Sequence, residues 1–149
     1  MPTVEKSINV HVPVRTAYNQ WTQFEEFPKF MEGVEEVRQL DDTHLYWRTR
    51  IAGNDEEWEA EITEQIPDER IAWRSTGGTP NGGVVMFRPV SDVDTQVMVQ
   101  MTYEPQGVVE KAGDMLGIVE HRIEKDLERF KAFIEKRGAA TGAWRGEVP

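Results

Sequence analysis

The chain contains no cysteine, which removes disulfides, thiolate metal sites and a cysteine nucleophile together. That absence suits a reducing compartment, and the cytoplasm is the expected location. No apolar run approaches the roughly 20 residues that a membrane-spanning helix needs, so no stable membrane anchor is expected. Met1-Pro2-Thr3-Val4-Glu5 has no basic segment followed by an apolar stretch, which argues against a secretory signal. Positive charge is also scarce. Lys and Arg number 17 against 27 Asp and Glu, a net of -10. Such a surface repels phosphate backbones and anionic headgroups at long range. Nucleic acid is therefore not an expected partner, and solubility is the simplest reading of the charge. The chain also lacks a Walker loop, a Rossmann fingerprint and any cluster with metal-ligand spacing. No cofactor and no metal are expected.

What is present fits one domain of 149 residues. A domain of this size hides roughly 70% of the surface its unfolded chain exposes, so it needs no staple. Five tryptophans and six phenylalanines mark where the core should be, because large aromatics bury much area each.

Val4 to Val12 alternates, with Val4, Ile8, Val10 and Val12 on one face and Glu5, Ser7, Asn9 and His11 on the other. A period of two predicts a strand with one buried face. Pro13 can open a helix, and Val14, Ala17, Tyr18 and Trp21 follow at helical spacing. A second short helical piece carries Phe24, Phe27 and Met31 and ends at Gly33. From there to Tyr103 the pattern is strand after strand, about seven in all, joined mostly by short turns that make sequence neighbours pair antiparallel. The inward rows read Leu45, Trp47, Thr49 and Ile51; then Trp58, Ala60 and Ile62; then Ile71, Trp73 and Ser75. Val85 and Phe87 follow, and then Val97, Val99, Met101 and Tyr103. Gly77 to Gly83 reads as a loop. A final helix is predicted from about Val108 to Arg137, with an apolar stripe through Val108, Ala112, Leu116, Val119, Ile123, Leu127, Phe130 and Ile134 that must lie on the sheet. Gly138 stops it. The expected organisation is a domain over 1–138 and an irregular tail over 139–149.

The order of strand, two short helices, six strands and long helix is the helix-grip arrangement. Pro13, Phe27-Pro28-Lys29-Phe30, Asn81-Gly82-Gly83-Val84-Val85-Met86-Phe87 and Tyr103-Glu104-Pro105 before Gly107 strengthen the match. Together these features resemble the START-like (SRPBCC or Bet v 1-like) superfamily, in its bacterial polyketide cyclase/dehydrase-like branch. The resemblance implies an α+β fold: a curved antiparallel sheet of about seven strands around a long C-terminal helix. It also implies a cavity for an apolar small molecule, such as a lipid, a quinone or an aromatic polyketide-like metabolite. A fold of this kind does not by itself imply cyclase activity.

In that fold Trp47, Thr49, Trp58, Trp73, Ser75, Phe87, Met101 and Tyr103 all face the helix. Either they line a pocket or some of them are ordinary core. Gly113 and Gly117, one turn apart on the helix, leave room for a ligand, let the helix pass close to a strand, or mark a break near Met115.

Chemistry has fewer candidates. His11, His44 and His121 all read as surface residues, and Glu57, Glu59 and Glu61 share one outward face. Glu64 has inward parity, and Thr49 and Ser75 are inward hydroxyls that can orient a ligand but make no nucleophile with its base. The absence of an inward histidine favours a binder over an enzyme. Ala72, Val84, Met86 and Met98 form an apolar patch on the opposite face. A second subunit making a homodimer covers it, or the tail folds back with Trp144 onto it, or it is plain surface.

Overall fold

The computed structural model describes residues 3–51, 54–78, 80–103 and 112–148. In chain order it has β1 (Thr3–Val10), α1 (Val14–Trp21), a 3-10 helix (Phe24–Lys29), β2 (Val34–Gln39), β3 (His44–Ile51) and β4 (Asn54–Ile66). Then come β5 (Arg70–Gly78), β6 (Asn81–Ser91), β7 (Asp94–Tyr103) and α2 (Ala112–Arg137). The strands form one curved antiparallel sheet ordered β1-β7-β6-β5-β4-β3-β2. Only the β1–β7 pairing is not a hairpin between sequence neighbours, and it brings the two ends of the strand region together. The concave face holds α2. This is the helix-grip fold that the element order predicts.

Local chemistry explains most boundaries. Pro13 precedes the first turn of α1, and its carbonyl accepts the Ala17 N–H at 3.1 Å. The 3-10 helix contains Pro28 and stops at Lys29, with Phe30 as its C-cap. It therefore ends sooner than the Phe24-Phe27-Met31 spacing predicts. α2 runs unbroken through Gly113 and Gly117 to Arg137, where Gly138 follows at φ +70°. The break near Met115, one of the alternative readings of these glycines, does not occur. The predicted start of that helix at Val108 lies outside the described residues.

Two expectations are corrected by packing. Gly77 to Gly83 is not a loop: β5 includes Gly78 and β6 begins at Asn81, leaving only 79–80 between them. Gly78, Gly82 and Gly83 serve close approach rather than a loop. A Cβ on Gly83 would lie 2.3 Å from the Gln100 carbonyl oxygen and 3.1 Å from the Trp73 ring. Gly78 has φ +85°, where only glycine is at ease.

The second correction concerns Glu64. The register shifts between Ile62 and Glu64, and a bulge of this kind reverses the facing of everything after it. Gln65 therefore turns inward and is 1% exposed, while Glu64 turns outward and accepts from Arg70 Nε at 2.7 Å.

The core is continuous but uneven. Around Trp21, on α1, four rings pack edge-on: Phe27, Phe30, Phe87 and Phe130, with centroids 4.8–6.3 Å away. Phe130 and Ile134 of α2 are fully buried there.

The tail is also anchored. Gln20, itself fully buried, exchanges two hydrogen bonds with Thr141. The Trp144 N–H donates to Thr22 Oγ1 at 3.1 Å. Arg145 bonds Asn19 and Asp68 and lies over the Tyr18 ring. Val148 forms a bridge with Gln65, on the stretch of β4 that extends beyond its pairing with β3. The tail does fold back, but these bonds run to α1 and the end of β4, not to the apolar patch. That patch exists as expected: Ala72 pairs with Val84 and Met86 with Met98 across neighbouring strands.

Candidate functional site

The other half of the helix–sheet interface is hollow. A cavity of about 130 Å³ lies between β3–β7 and the stretch of α2 from Val119 to Leu127, closed at one end by Trp21, Phe24 and Phe27. Strand alternation delivers its walls. Leu45, Trp47 and Thr49 come from β3, Trp58 and Ile62 from β4, Trp73 from β5, and Met101 from β7. Trp47 and Trp58 are direct cross-strand partners, and their rings stack at 5.7 Å with 14° between planes. Trp73 is fixed differently: its indole N–H donates to Asn81 Oδ1 at 3.0 Å, and its ring lies over Gly83.

Two polar atoms in this wall have no hydrogen-bond partner among the described residues. They are the Thr49 hydroxyl, on a residue 2% exposed, and the Trp47 indole N–H. A buried group left in that state costs about 1–3 kcal/mol.

The mouth of the cavity is charged, and α2 supplies most of the charge. Arg122 and Asp126 both line the cavity, one helical turn apart. The Asp126 carboxylate accepts from Arg129 Nη1 at 3.2 Å. Burial pushes its carboxyl up to about 6, against the opposing pull of Arg129, the Glu32 N–H and Arg122. The Glu32 carboxylate holds Arg129 at 2.5 Å and Arg122 at 3.5 Å. The segment between the 3-10 helix and β2 is thus clamped to α2 by alternating charge.

Of the residues expected at a ligand site, the structure brings Trp47, Thr49, Trp58, Trp73 and Met101 together around this cavity. Three others sit elsewhere. Phe87 packs into the filled core against Tyr18 and Trp21. The Ser75 hydroxyl accepts the Asn81 backbone N–H at 3.1 Å, within the β5–β6 hairpin. Gly117 lies on the exposed side of α2, where a Cβ would meet nothing, so it opens no space in the cavity. The surroundings of Tyr103 and Gly113 lie outside the described residues.

Arg122 and Asp126 are the residues that strand parity misses. A helix face about 100° wide takes in positions three and four residues on, so Arg122 follows Val119 and Asp126 follows Ile123 onto the inner side. An inward ionisable group therefore exists, although no histidine supplies it. His11 is exposed and paired with Asp94, His44 pairs with Asp41, and His121 is exposed.

Comparison with known proteins agrees with this architecture. The chain is 56% identical to an uncharacterized 17.2 kDa protein of Streptomyces lincolnensis, over 99% of both chains. A solved structure from Deinococcus radiodurans is 29% identical, covers 93% of this chain and 99% of its own, and has a TM-score of 0.73. The Zhui aromatase/cyclase of a Streptomyces species shares only 17% identity, yet superposes with a TM-score of 0.78 over 96% of this chain and 99% of its own. At that identity the likeness is one of fold. The sequence pattern of one family matches residues 10–132, most of the chain. The protein belongs to the polyketide cyclase / dehydrase and lipid transport family.

Proposed function

We propose that this chain binds an apolar, ring-bearing small molecule in the cavity between the sheet and α2. The observation that carries the reading is an aromatic cavity whose wall holds two unpartnered donors, the Thr49 hydroxyl and the Trp47 N–H. A close-packed core leaves no such space, although the filled half also holds unpartnered buried polar atoms, on Tyr18 and Gln65. A ligand that fills the space and accepts from Thr49 or Trp47 removes both costs. The volume sets the scale. An engineered cavity of about 150 Å³ holds one benzene, so about 130 Å³ takes a single ring before the walls must move. A lipid chain or fused-ring metabolite exceeds that space, so the walls must move to admit it.

Native mass spectrometry of freshly purified protein, paired with organic extraction, is the direct test, and a stoichiometric apolar adduct is the expected result. Titration with 3-phenylpropan-1-ol should quench tryptophan fluorescence saturably in the parent. It should fail to do so in Val99→Phe, which fills the cavity from β7. No adduct, together with quenching that never saturates, overturns the reading.

A second reading is favoured by Asp126. A carboxyl near 6 exchanges protons readily around neutrality, as a cyclase or dehydratase would require, and the Zhui aromatase/cyclase shares this fold. This reading predicts intramolecular aldol closure of a short polyketone probe, one C–C bond forming and the resulting hydroxyl leaving with an α-proton as water, abolished in Asp126→Asn and retained in Thr49→Val. An unchanged probe under conditions where it binds refutes it.

A further inference from the structure

Outside the cavity mouth lies a groove lined by His121, Arg122, Lys125 and Arg129 of α2, together with Gly117, Ile118 and Glu32. Its three permanent cations are each paired: Arg122 and Arg129 with Glu32, Arg129 also with Asp126, and Lys125 with Glu128 at 3.4 Å. Arg122 is the residue that lines both the cavity and the groove. Its side chain is about a quarter exposed, so it stands at the boundary between apolar interior and solvent.

The bonding around Arg122 leaves it capacity. Glu32 is gripped chiefly by Arg129 at 2.5 Å, while Arg122 approaches it only to 3.5 Å. A guanidinium carries five N–H donors, and planar, bidentate recognition of a carboxylate is what that group does best. Asp126, the other charged group of the wall, is already engaged by Arg129. It is therefore poorly placed to bind an ammonium.

We infer that the cavity takes an apolar acid, its ring or chain against Trp47, Trp58 and Trp73 and its carboxylate on Arg122 at the mouth. This inference rests on the cavity being a ligand site and adds the chemical class of the ligand.

The test is a set of probes with one body and three heads: 3-phenylpropanoate, 3-phenylpropan-1-ol and 3-phenylpropylamine. Each is titrated by calorimetry against the parent chain, Arg122→Gln and Thr49→Val. The expected order in the parent is acid, then alcohol, then amine. Arg122→Gln should weaken the acid at least about tenfold, the size of one charge-assisted hydrogen bond, and weaken the alcohol much less. A urea midpoint within the folded range for the variant shows that it is folded. Equal binding of acid and alcohol, or an acid affinity that falls with Thr49→Val but not with Arg122→Gln, overturns the inference and leaves the cavity reading standing. Failure of all three probes to bind the parent overturns both.

Discussion

The two halves of α2 face the same sheet and do opposite things. Around Phe130 and Ile134 the interface is filled: Trp21 sits among four rings, and both helix residues are fully buried. Between Val119 and Leu127 the same helix spans a cavity, with unpartnered donors on the strands and a carboxyl near 6 on the helix. The difference is one of supporting elements. α1 and the 3-10 helix push aromatic side chains into the filled half and only close off the end of the hollow one. Stability is concentrated where three layers meet, and that frees the remaining two-layer region to stay open. Division of labour of this kind lets a small domain tolerate strain at a site.

The comparison breaks first at Phe130. Phe130→Ala removes a ring 4.8 Å from Trp21 and 5.3 Å from Phe30, and truncation of a buried phenylalanine costs about 3–5 kcal/mol. Ile123→Ala, on a half-buried residue beside an existing cavity, should cost about half as much or less. Urea unfolding of the two variants measures both. Equal losses would mean that the two halves are equally packed.

Asp126 offers the next largest effect, and its sign is fixed. Its carboxyl titrates near 6 in the folded chain against an ordinary 3.8, so the folded state binds the extra proton between these values. Its contribution is therefore most favourable at pH 4 and below, declines as pH rises to about 6, and is constant above that. The decline is at most about 3 kcal/mol, the opposing pull of its partners being already contained in the shift. Asp94, Asp55 and Glu64, each held below the usual carboxylate range by a hydrogen-bonded partner (His11, Arg50 and Arg70 respectively), act in the opposite direction. Subtracting the stability–pH curve of Asp126→Asn isolates the one group. A difference curve that is flat from pH 4 to 6.5 contradicts its burial.

Much of this was legible in the alternation of the chain. Trp47, Trp58, Trp73 and Met101 reach the cavity because period two assigns them inward, and the element order predicts the fold. What stayed hidden has physical causes. A bulge after Ile62 reverses parity, so Glu64 and Gln65 trade places. Phe87 has the correct parity but meets α1, and parity cannot say whether a third layer lies above a strand. Arg122 and Asp126 escape the pattern because an apolar stripe is defined by apolar residues alone. Gly83 looks like a turn residue and is instead the floor beneath an indole. Gly83→Ala tests that directly: a Cβ at 2.3 Å from the Gln100 carbonyl should cost about 2 kcal/mol, within the range for overpacking. It should also shift tryptophan emission as Trp73 is displaced.

The smallest effect separates the two halves most sharply, because it should change sign between them. Thr95 and Thr49 are both buried, at 0% and 2% exposure. The Thr95 hydroxyl, in the filled region, donates to the Val12 carbonyl at 2.9 Å, whereas the Thr49 hydroxyl has no partner among the described residues. Valine keeps the branched shape and removes the polar group. Thr95→Val breaks a satisfied bond and strands a carbonyl, so it should destabilise by about 1 kcal/mol. Thr49→Val replaces a desolvated, unpaired hydroxyl with a methyl and should stabilise by about 1 kcal/mol, seen as a higher midpoint in urea. The same substitution should weaken 3-phenylpropan-1-ol severalfold, since the bound hydroxyl loses its donor. A gain in stability bought with a loss in affinity is the signature of a residue retained for its ligand. If both threonines destabilise alike on substitution, Thr49 is ordinary core and the hollow half of the helix has no claim to be a site.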